Sequence, residues 1–372
     1  MPTHPATGLK GLQREFRVLA AVVGAALLAC GIALAAASGA RAGLQWSVQA
    51  GGLWLAVCAT AWPRLALNRP DERSPLYPRL GWGNRLTLVR GGLIAATGGF
   101  LFTDPGGVGP PMLPALSYGL AALLDRLDGY CARRFGQTTL LGSELDIRFD
   151  ALGLVVAPLL AVQWGRLPLA YLLLSAAFYV YRWSLQRRQD RRLPLFPLPD
   201  NPLRRILAGF QMGLVAFVLW PDIDPAFGRV AGVAFMMPVL FGFAVDWAVV
   251  TGRLGADVMR RLEHWREGYL LPALRAVLFV LGWLAFAPSV QAQGLAVSAL
   301  WLCAWLMALL GLAGRVGAAL LLLLLGAGLA VVSGPALADS LVLVASGLLL
   351  LGTGRYSLRP WGEDWLRRYD GA

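Results

Sequence analysis

The sequence predicts an all-α fold, a polytopic membrane helical bundle with about 12 transmembrane helices and both termini cytoplasmic. Hydrophobic residues make up 57% of the 372 residues and charged residues only 15%, whereas soluble globular chains are about half apolar and a quarter charged. Long unbroken apolar runs favour helices over a membrane barrel, whose strands alternate apolar and polar residues. The composition therefore excludes a soluble enzyme and a disordered chain.

Apolar segments close to the ~20 residues that a helix needs to cross a bilayer recur along the chain. Two form an N-terminal extension, six form a central group and four form a C-terminal group. Their approximate bounds are 18–38 and 45–62, then 86–102, 112–127, 151–165, 168–183, 204–220 and 230–250, then 270–287, 293–312, 316–333 and 336–353.

The distribution of basic residues supports this layout. With the N-terminus placed in the cytoplasm, 28 of the 33 lysines and arginines fall in cytoplasmic segments. Arg41, Arg166 and Arg229 fall outside, and Arg90 and Arg275 fall within spans. Cytoplasmic loops carry an excess of lysine and arginine, so the bias predicts this orientation. Arginines that flank apolar segments also favour contact with anionic lipid headgroups over nucleic acid.

The start of the chain leaves an alternative open. Lys10, Arg14 and Arg17 precede an apolar run that ends in AAASGARAG, and this order is also typical of a cleavable signal peptide. Cleavage would leave the predicted topology of the later spans unchanged.

Four aspartates lie in the cytoplasmic stretch between two of the central spans, which reads DRLDGYCARRFGQTTLLGSELDIRFD from residue 125 to residue 150. On a helix, Asp125 and Asp128 are i, i+3 neighbours, and Asp146 and Asp150 are i, i+4 neighbours, so each pair faces one way. Glycines in the intervening stretch can turn the chain back. The pattern therefore predicts four carboxylates that converge from two adjacent helices.

Converging carboxylates repel one another and are costly to desolvate unless cations bind them. Hard oxygen ligands suit Mg²⁺ or Mn²⁺, and two such ions ~3.5–4 Å apart serve in-line displacement at phosphorus. We therefore expect two divalent ions, with Arg133 as a phosphate partner. Gly129 and Ala132 share the helical face of Asp125 and leave room for a bulky group, as Gly142 does opposite. The alternative is a solvated loop whose acids only balance nearby arginines.

The spacing of this segment resembles the signature of the CDP-alcohol phosphatidyltransferases at every defined position. The matching residues are Asp125, Asp128, Gly129, Ala132, Arg133, Gly142, Asp146 and Asp150. Upstream, Asn84, Thr87 and Arg90 are similar to the segment that opens the first core helix of that family. The six central spans also agree with the six helices of the family core.

The resemblance implies a donor, a reaction and a set of roles. The donor is a CDP-linked lipid, most often CDP-diacylglycerol; an alcohol hydroxyl attacks the lipid-attached phosphorus, and CMP leaves. The implied metal ligands are Asp125, Asp128 and Asp146, with Asp150 as a ligand or near-ligand and the general base. The implied CDP-binding residues are Asn84, Thr87, Gly129, Ala132, Arg133 and Gly142. The family also implies a homodimer.

The acceptor alcohol is expected on the cytoplasmic side, where arginines concentrate between residues 182 and 205. Arg204 and Arg205 begin the next core helix and are the predicted acceptor contacts, because arginine clamps suit a phosphorylated alcohol. Anchoring to anionic lipid explains them equally well. Asp246, in an otherwise apolar segment, is expected to snorkel or to pair with Arg253 or Arg275. The sequence does not identify the headgroup.

Three domains are predicted: residues 1–68 as a two-helix membrane extension, residues 69–258 as the CDP-alcohol phosphatidyltransferase-like core, and residues 259–372 as a four-helix membrane module. The last module ends in GTGRYSL and resembles the DoxX type. Four generic helices packed through small residues fit that stretch equally well.

The leading functional prediction is a phospholipid synthase of the cytoplasmic membrane that acts at its cytoplasmic face. An alternative in the same chemistry takes a soluble CDP-alcohol as donor and diacylglycerol as acceptor. A transporter whose acids bind cations is disfavoured, because transporters are usually built from internal repeats and no second copy of the aspartate pattern occurs in the chain.

Overall fold

A computed structural model describes residues 5–199, 201–255, 257–292 and 294–358, and over these residues the protein is helical, without strands. The α-helices are α1 (Pro5–Ser38), α2 (Ala40–Ala61), α3 (Gly81–Gly98), α4 (Leu113–Arg134), α5 (Leu140–Gln163), α6 (Leu173–Asp190), α7 (Pro202–Val218), α8 (Pro225–Val250), α9 (Asp257–Trp265), α10 (Leu271–Ala292), α11 (Gly294–Leu310), α12 (Gly314–Gly326) and α13 (Pro335–Leu351). A π-helical turn, Arg266–Leu270, joins α9 to α10.

Each of the twelve predicted apolar segments coincides with a helix, and α9 is an additional one. Three described helical stretches are long and apolar enough to cross a membrane: Gly8–Ser38, Pro225–Val250 and Asp257–Phe286. The shorter helices α11, α12 and α13 are also apolar. The number of twelve spans stays a prediction, as does the cytoplasmic placement of the termini, which fall on residues 1–4 and 359–372 outside the described part of the chain.

The chain forms two compact units. Unit 1 comprises Met1–Gly165 and Val215–Pro221, and unit 2 comprises Arg166–Leu214 and Asp222–Ala372. The boundaries of these units differ from those of the predicted domains 1–68, 69–258 and 259–372. The three domains stay predictions. The four aspartates all lie in unit 1.

Close contacts among α3, α4 and α5 build the part of unit 1 that carries the aspartates. A Cβ atom added to Gly83 of α3 would lie 2.9 Å from the Cβ of Ala132 in α4. One added to Gly91 would lie 3.2 Å from the ring of Phe149 in α5. Small residues let helix backbones approach closely, so these glycines set α3 directly against both neighbours.

The turn between α4 and α5 lets both helices pack against α3. Gly136 has a φ of 61°, which favours glycine, and it lies two residues beyond the end of α4. Thr139 is the N-cap of α5, and its hydroxyl accepts a hydrogen bond of 2.9 Å from the Gly142 amide. Gly136 therefore turns the chain, whereas Gly142 already lies in the first turn of α5.

Unit 2 contains α6, α8 and the C-terminal helices α9 to α13, with most of α7. Helix α8 packs against α6 and α13, and α10 packs against α11 and α13. Gly317 of α12 approaches α11 so closely that an added Cβ would lie 2.6 Å from the Ala304 carbonyl oxygen. The DoxX-like assignment of the C-terminal helices stays a prediction.

Candidate active site

Three helices of unit 1 bring five charged side chains together. Helix α4 supplies Asp125 and Asp128, helix α5 supplies Asp146 and Asp150, and helix α3 supplies Arg90, whose side chain is completely buried. The structure thus places the two aspartate pairs around one guanidinium group.

Arg90 contacts every one of the four carboxylates. Its Nη1 donates to Asp125, to Asp146 Oδ1 at 2.9 Å and, at the longer distance of 3.5 Å, to Asp128 Oδ2. Its Nη2 donates to Asp150 Oδ1 at 3.0 Å and to the main-chain oxygen of Asp146 at 3.2 Å. One positive charge faces four acidic groups, so the cluster keeps an excess of negative charge when the carboxylates are ionised.

Three of the carboxylates are arranged so that they could hold a metal ion. One oxygen each from Asp125, Asp146 and Asp150 lies within 4.8 Å of the others. The side chains of Asp146 and Asp150 are 47% and 46% exposed, so solvent reaches them. An all-carboxylate donor set is hard and anionic, which fits Mg²⁺ or Mn²⁺, and the negative excess of the cluster fits a divalent cation.

Asp128 differs from the other three aspartates. Its side chain is only 8% exposed, and it accepts a hydrogen bond of 2.8 Å from the Thr87 hydroxyl. It is not one of the three residues whose oxygens cluster within 4.8 Å. Thr87, a predicted CDP contact, is itself buried and is directed toward Asp128. The structure therefore gives Thr87 a role in orienting a carboxylate.

Asn84 and Gly142, two other predicted CDP contacts, touch each other. The Asn84 amide nitrogen lies 2.8 Å from Asn68 Oδ1 and 3.1 Å from Thr139 Oγ1. A Cβ added to Gly142 would lie 2.7 Å from Asn84 Oδ1. The small size of Gly142 is thus explained by packing within the protein, and the Asn84 side chain is buried among protein partners.

The remaining predicted CDP contacts line α4. Ala132 packs against Gly83 of α3, and Arg133 is exposed. A Cβ atom added to Gly129 would lie 3.3 Å from the Arg133 guanidinium, so the Arg133 side chain packs over Gly129. Gly129 and Arg133 therefore form an accessible surface one turn beyond Asp125.

The predicted acceptor contacts lie on α7, in unit 2. Arg204 makes a two-pronged ion pair with Asp246, with Nε–Oδ2 and Nη2–Oδ1 distances of 2.7 and 2.9 Å, and its Nη1 donates to the Pro199 carbonyl. Arg205 is exposed. The expectation that Asp246 pairs with Arg253 or Arg275 is wrong, because Arg204 projects from the neighbouring helix directly at the carboxylate.

Arg90 is the residue that the sequence argument did not include among the site residues. Two signals could have indicated it. An arginine within an apolar span is costly unless it faces partners inside the bundle. It also follows Thr87 by three residues, which places both on adjacent turns of one helical face.

Comparison with known proteins agrees with this geometry. Residues 82–250 match the family model of the CDP-alcohol phosphatidyltransferases. The matched segment contains Arg90, all four aspartates and helices α4 to α8. No curated protein and no solved structure matched the chain. Residues 82–250 are thus similar to the CDP-alcohol phosphatidyltransferases, which makes the protein a phosphotransferase enzyme, and its long apolar helices are those of an integral membrane protein.

Proposed function

We propose that the protein transfers a phosphatidyl group from CDP-diacylglycerol, or a similar CDP-lipid, to a small alcohol and releases CMP. The observation that carries the proposal is the carboxylate cluster around Arg90 inside the family-matched segment. A CDP-lipid brings a diphosphate to the protein, and a diphosphate needs cations beside it. The cluster offers a place where carboxylates could hold them.

The proposed reaction forms one phosphorus–oxygen bond and breaks another. The oxygen of the acceptor hydroxyl attacks the phosphorus that carries the diacylglycerol, and the bond from that phosphorus to the CMP oxygen breaks. The hydroxyl proton passes to a carboxylate. Asp125, Asp146 and Asp150, with Asp128 beside them, would hold Mg²⁺ or Mn²⁺, two ions in our proposal, which neutralise the diphosphate and the departing CMP.

Asp150 is the proposed general base. Its side chain is 46% exposed, so a hydroxyl arriving from solvent can reach it. A hydrogen bond of 3.0 Å from Arg90 Nη2 fixes one oxygen of its carboxyl group. A carboxylate that is ionised and accessible can accept a proton from a hydroxyl held within hydrogen-bond distance.

The proposed CDP-binding residues are Gly129, Ala132, Arg133 and Gly142, with the buried Asn84 and Thr87 behind them. Arg204 and Arg205 are the proposed acceptor contacts. The ion pair with Asp246 lowers the net positive charge that Arg204 offers to a phosphorylated alcohol. We further propose a homodimer in the cytoplasmic membrane, with the active site at the cytoplasmic face. Diacyl tails would then stay in lipid while the nucleotide remains in water.

An acceptor screen tests the proposal. Purified protein receives CDP-diacylglycerol, Mg²⁺ or Mn²⁺, and one small alcohol at a time, and CMP and product lipid are measured. We expect both products with at least one alcohol and none with Asp125→Asn, a variant of nearly unchanged shape. Transfer from labelled CDP-ethanolamine to diacylglycerol, without turnover of CDP-diacylglycerol, would instead establish the reverse assignment of donor and acceptor.

A further inference from the structure

The start of α3 is held by a residue outside the family-matched segment. Asn68 follows the 3₁₀ turn Trp62–Leu67 that ends α2, and it is completely buried. The family match begins at residue 82, so Asn68 belongs to the stretch that precedes the catalytic core. A fully buried amide side chain must be satisfied by protein partners, and its partners show what it holds.

The Asn68 side chain makes three of the four hydrogen bonds that an amide group can form. Its Nδ2 donates to the carbonyls of Arg79 and Tyr77, at 2.8 and 3.4 Å. Its Oδ1 accepts a hydrogen bond of 2.8 Å from Asn84 Nδ2. Asn68 thus closes the loop that leads into α3 and fastens that loop to a side chain in the first turn of the helix.

Asn84 passes this connection on to α5. Its amide nitrogen lies 3.1 Å from Thr139 Oγ1, the hydroxyl that caps α5 at the Gly142 amide. The buried chain Asn68–Asn84–Thr139 therefore joins the starts of α3 and α5. These are the two helices that supply Arg90 and the Asp146–Asp150 pair.

A second contact from the N-terminal stretch acts on the same end of α3. Glu15 of α1 accepts hydrogen bonds from the Leu80 amide at 3.0 Å and from Arg85 Nε at 2.8 Å. Because Leu80 and Arg85 lie on either side of the α3 start, the carboxylate of α1 holds that start independently of Asn68.

We propose that Asn68 is a positioning residue for phosphatidyl transfer, which fixes α3 against α5 so that Arg90 and the carboxylates keep the spacing that a divalent ion needs. The inference rests on the proposed function. Asn68 acts on the cluster through its hydrogen bond with Asn84. It gives the stretch before the family core a part in catalysis, beyond anchoring in the bilayer.

Binding of Mn²⁺, measured by the electron paramagnetic resonance signal of the free ion, tests the proposal without turnover. We expect Asn68→Ala to weaken Mn²⁺ binding about tenfold, since loss of groups that orient metal ligands costs about 10–100-fold. The Mn²⁺ concentration for half-maximal transfer should rise by the same factor. Asn84→Ala should act similarly, and the double variant should be no more than about twofold weaker than Asn84→Ala alone, because the two residues act in series.

Two further variants separate positioning from general stability. Thr97→Val removes a partly buried hydrogen bond of 2.8 Å between α3 and Ser117 of α4, farther along the same helix, and should leave Mn²⁺ binding unchanged. Asn68→Asp keeps an oxygen that accepts from Asn84 but loses the donors to the loop, so it should lower thermal stability and retain most Mn²⁺ affinity. If Asn68→Ala does not fold, Asn84→Ala decides, because it breaks the same connection, and unchanged Mn²⁺ binding in that variant overturns the proposal.

The outcomes are distinct. Unchanged Mn²⁺ binding in folded Asn68→Ala, or full additivity with Asn84→Ala, overturns the positioning role. Equal weakening in Thr97→Val also overturns it, because any loosening of α3 would then suffice. If the wild-type protein binds Mn²⁺ and releases no CMP with any acceptor, the proposed function fails, while the binding measurements still decide the role of Asn68.

Discussion

Replacement of Arg90 by glutamine should destabilise the protein strongly in the absence of divalent ions. Its guanidinium is completely buried and contacts four carboxylates. Removal of one partner from a buried ion pair costs about 3–5 kcal/mol. Because Asp146 and Asp150 are nearly half exposed, solvent screens part of the repulsion that remains, and the lower end of about 3 kcal/mol is expected.

The assay is thermal unfolding of the purified protein in detergent, once with EDTA and once with Mg²⁺. A loss of about 3 kcal/mol corresponds to a fall in Tm of roughly 6–12 °C for a unit of this size. Mg²⁺ should raise the Tm of Arg90→Gln more than that of the wild-type protein, since the variant lacks the positive charge that the ion supplies.

Arg85→Gln is the matched control on the same helix. Arg85 pairs with Glu15, and the two side chains are 33% and 22% exposed, so its loss should cost about 1 kcal/mol or less. If Arg90→Gln and Arg85→Gln unfold at the same temperature in EDTA, the reasoning that the cluster depends on its central cation is refuted.

Three further predictions concern single contacts. Asp146→Asn should abolish metal-dependent CMP release, and wild-type Mg²⁺ dependence in that variant would remove its assignment as a ligand. Thr87→Val should raise the Mg²⁺ requirement about tenfold, since a hydrogen bond to the charged Asp128 contributes about 1.5–3 kcal/mol; an unchanged Mg²⁺ titration would contradict this. Arg204→Gln should lower the free energy of unfolding by about 3 kcal/mol because it leaves Asp246 buried and unpaired, and adding Asp246→Asn should restore most of it; full additivity in unfolding experiments would argue against the pair.

The aspartate cluster could be predicted from the sequence because it depends on the local spacing of the aspartates along the chain. Spacings of three and four residues place carboxylates on one helical face, whatever the helix packs against. Helix positions were predictable for the same reason, since an apolar run of sufficient length forms a helix in a bilayer. The position of Arg90 at the centre of the cluster depends on how closely α3 approaches α4 and α5, which Gly83 and Gly91 determine in three dimensions.

Ion-pair partners on different helices could not be predicted from the sequence. The sequence offered Arg253 and Arg275 for Asp246, and the structure selects Arg204. Arg253 instead lies 4.4 Å over the Trp247 ring, and Arg275 donates to the Leu309 carbonyl at 2.7 Å. The partner of each of these side chains depends on the rotation and tilt of its helix. The spacing of residues along the sequence determines neither.

The contact between Gly142 and Asn84 affects how a loss of activity in a Gly142 variant should be interpreted. A methyl group at position 142 would press on the Asn84 amide, which lies 2.7 Å from where that methyl would sit. The disturbance would spread through Thr139 and Asn68 before it met any bound cytidine. A Gly142→Ala variant with low turnover would thus resemble one with a damaged nucleotide site. The first group displaced, however, would be the Asn84 side chain, which connects α3 to α5.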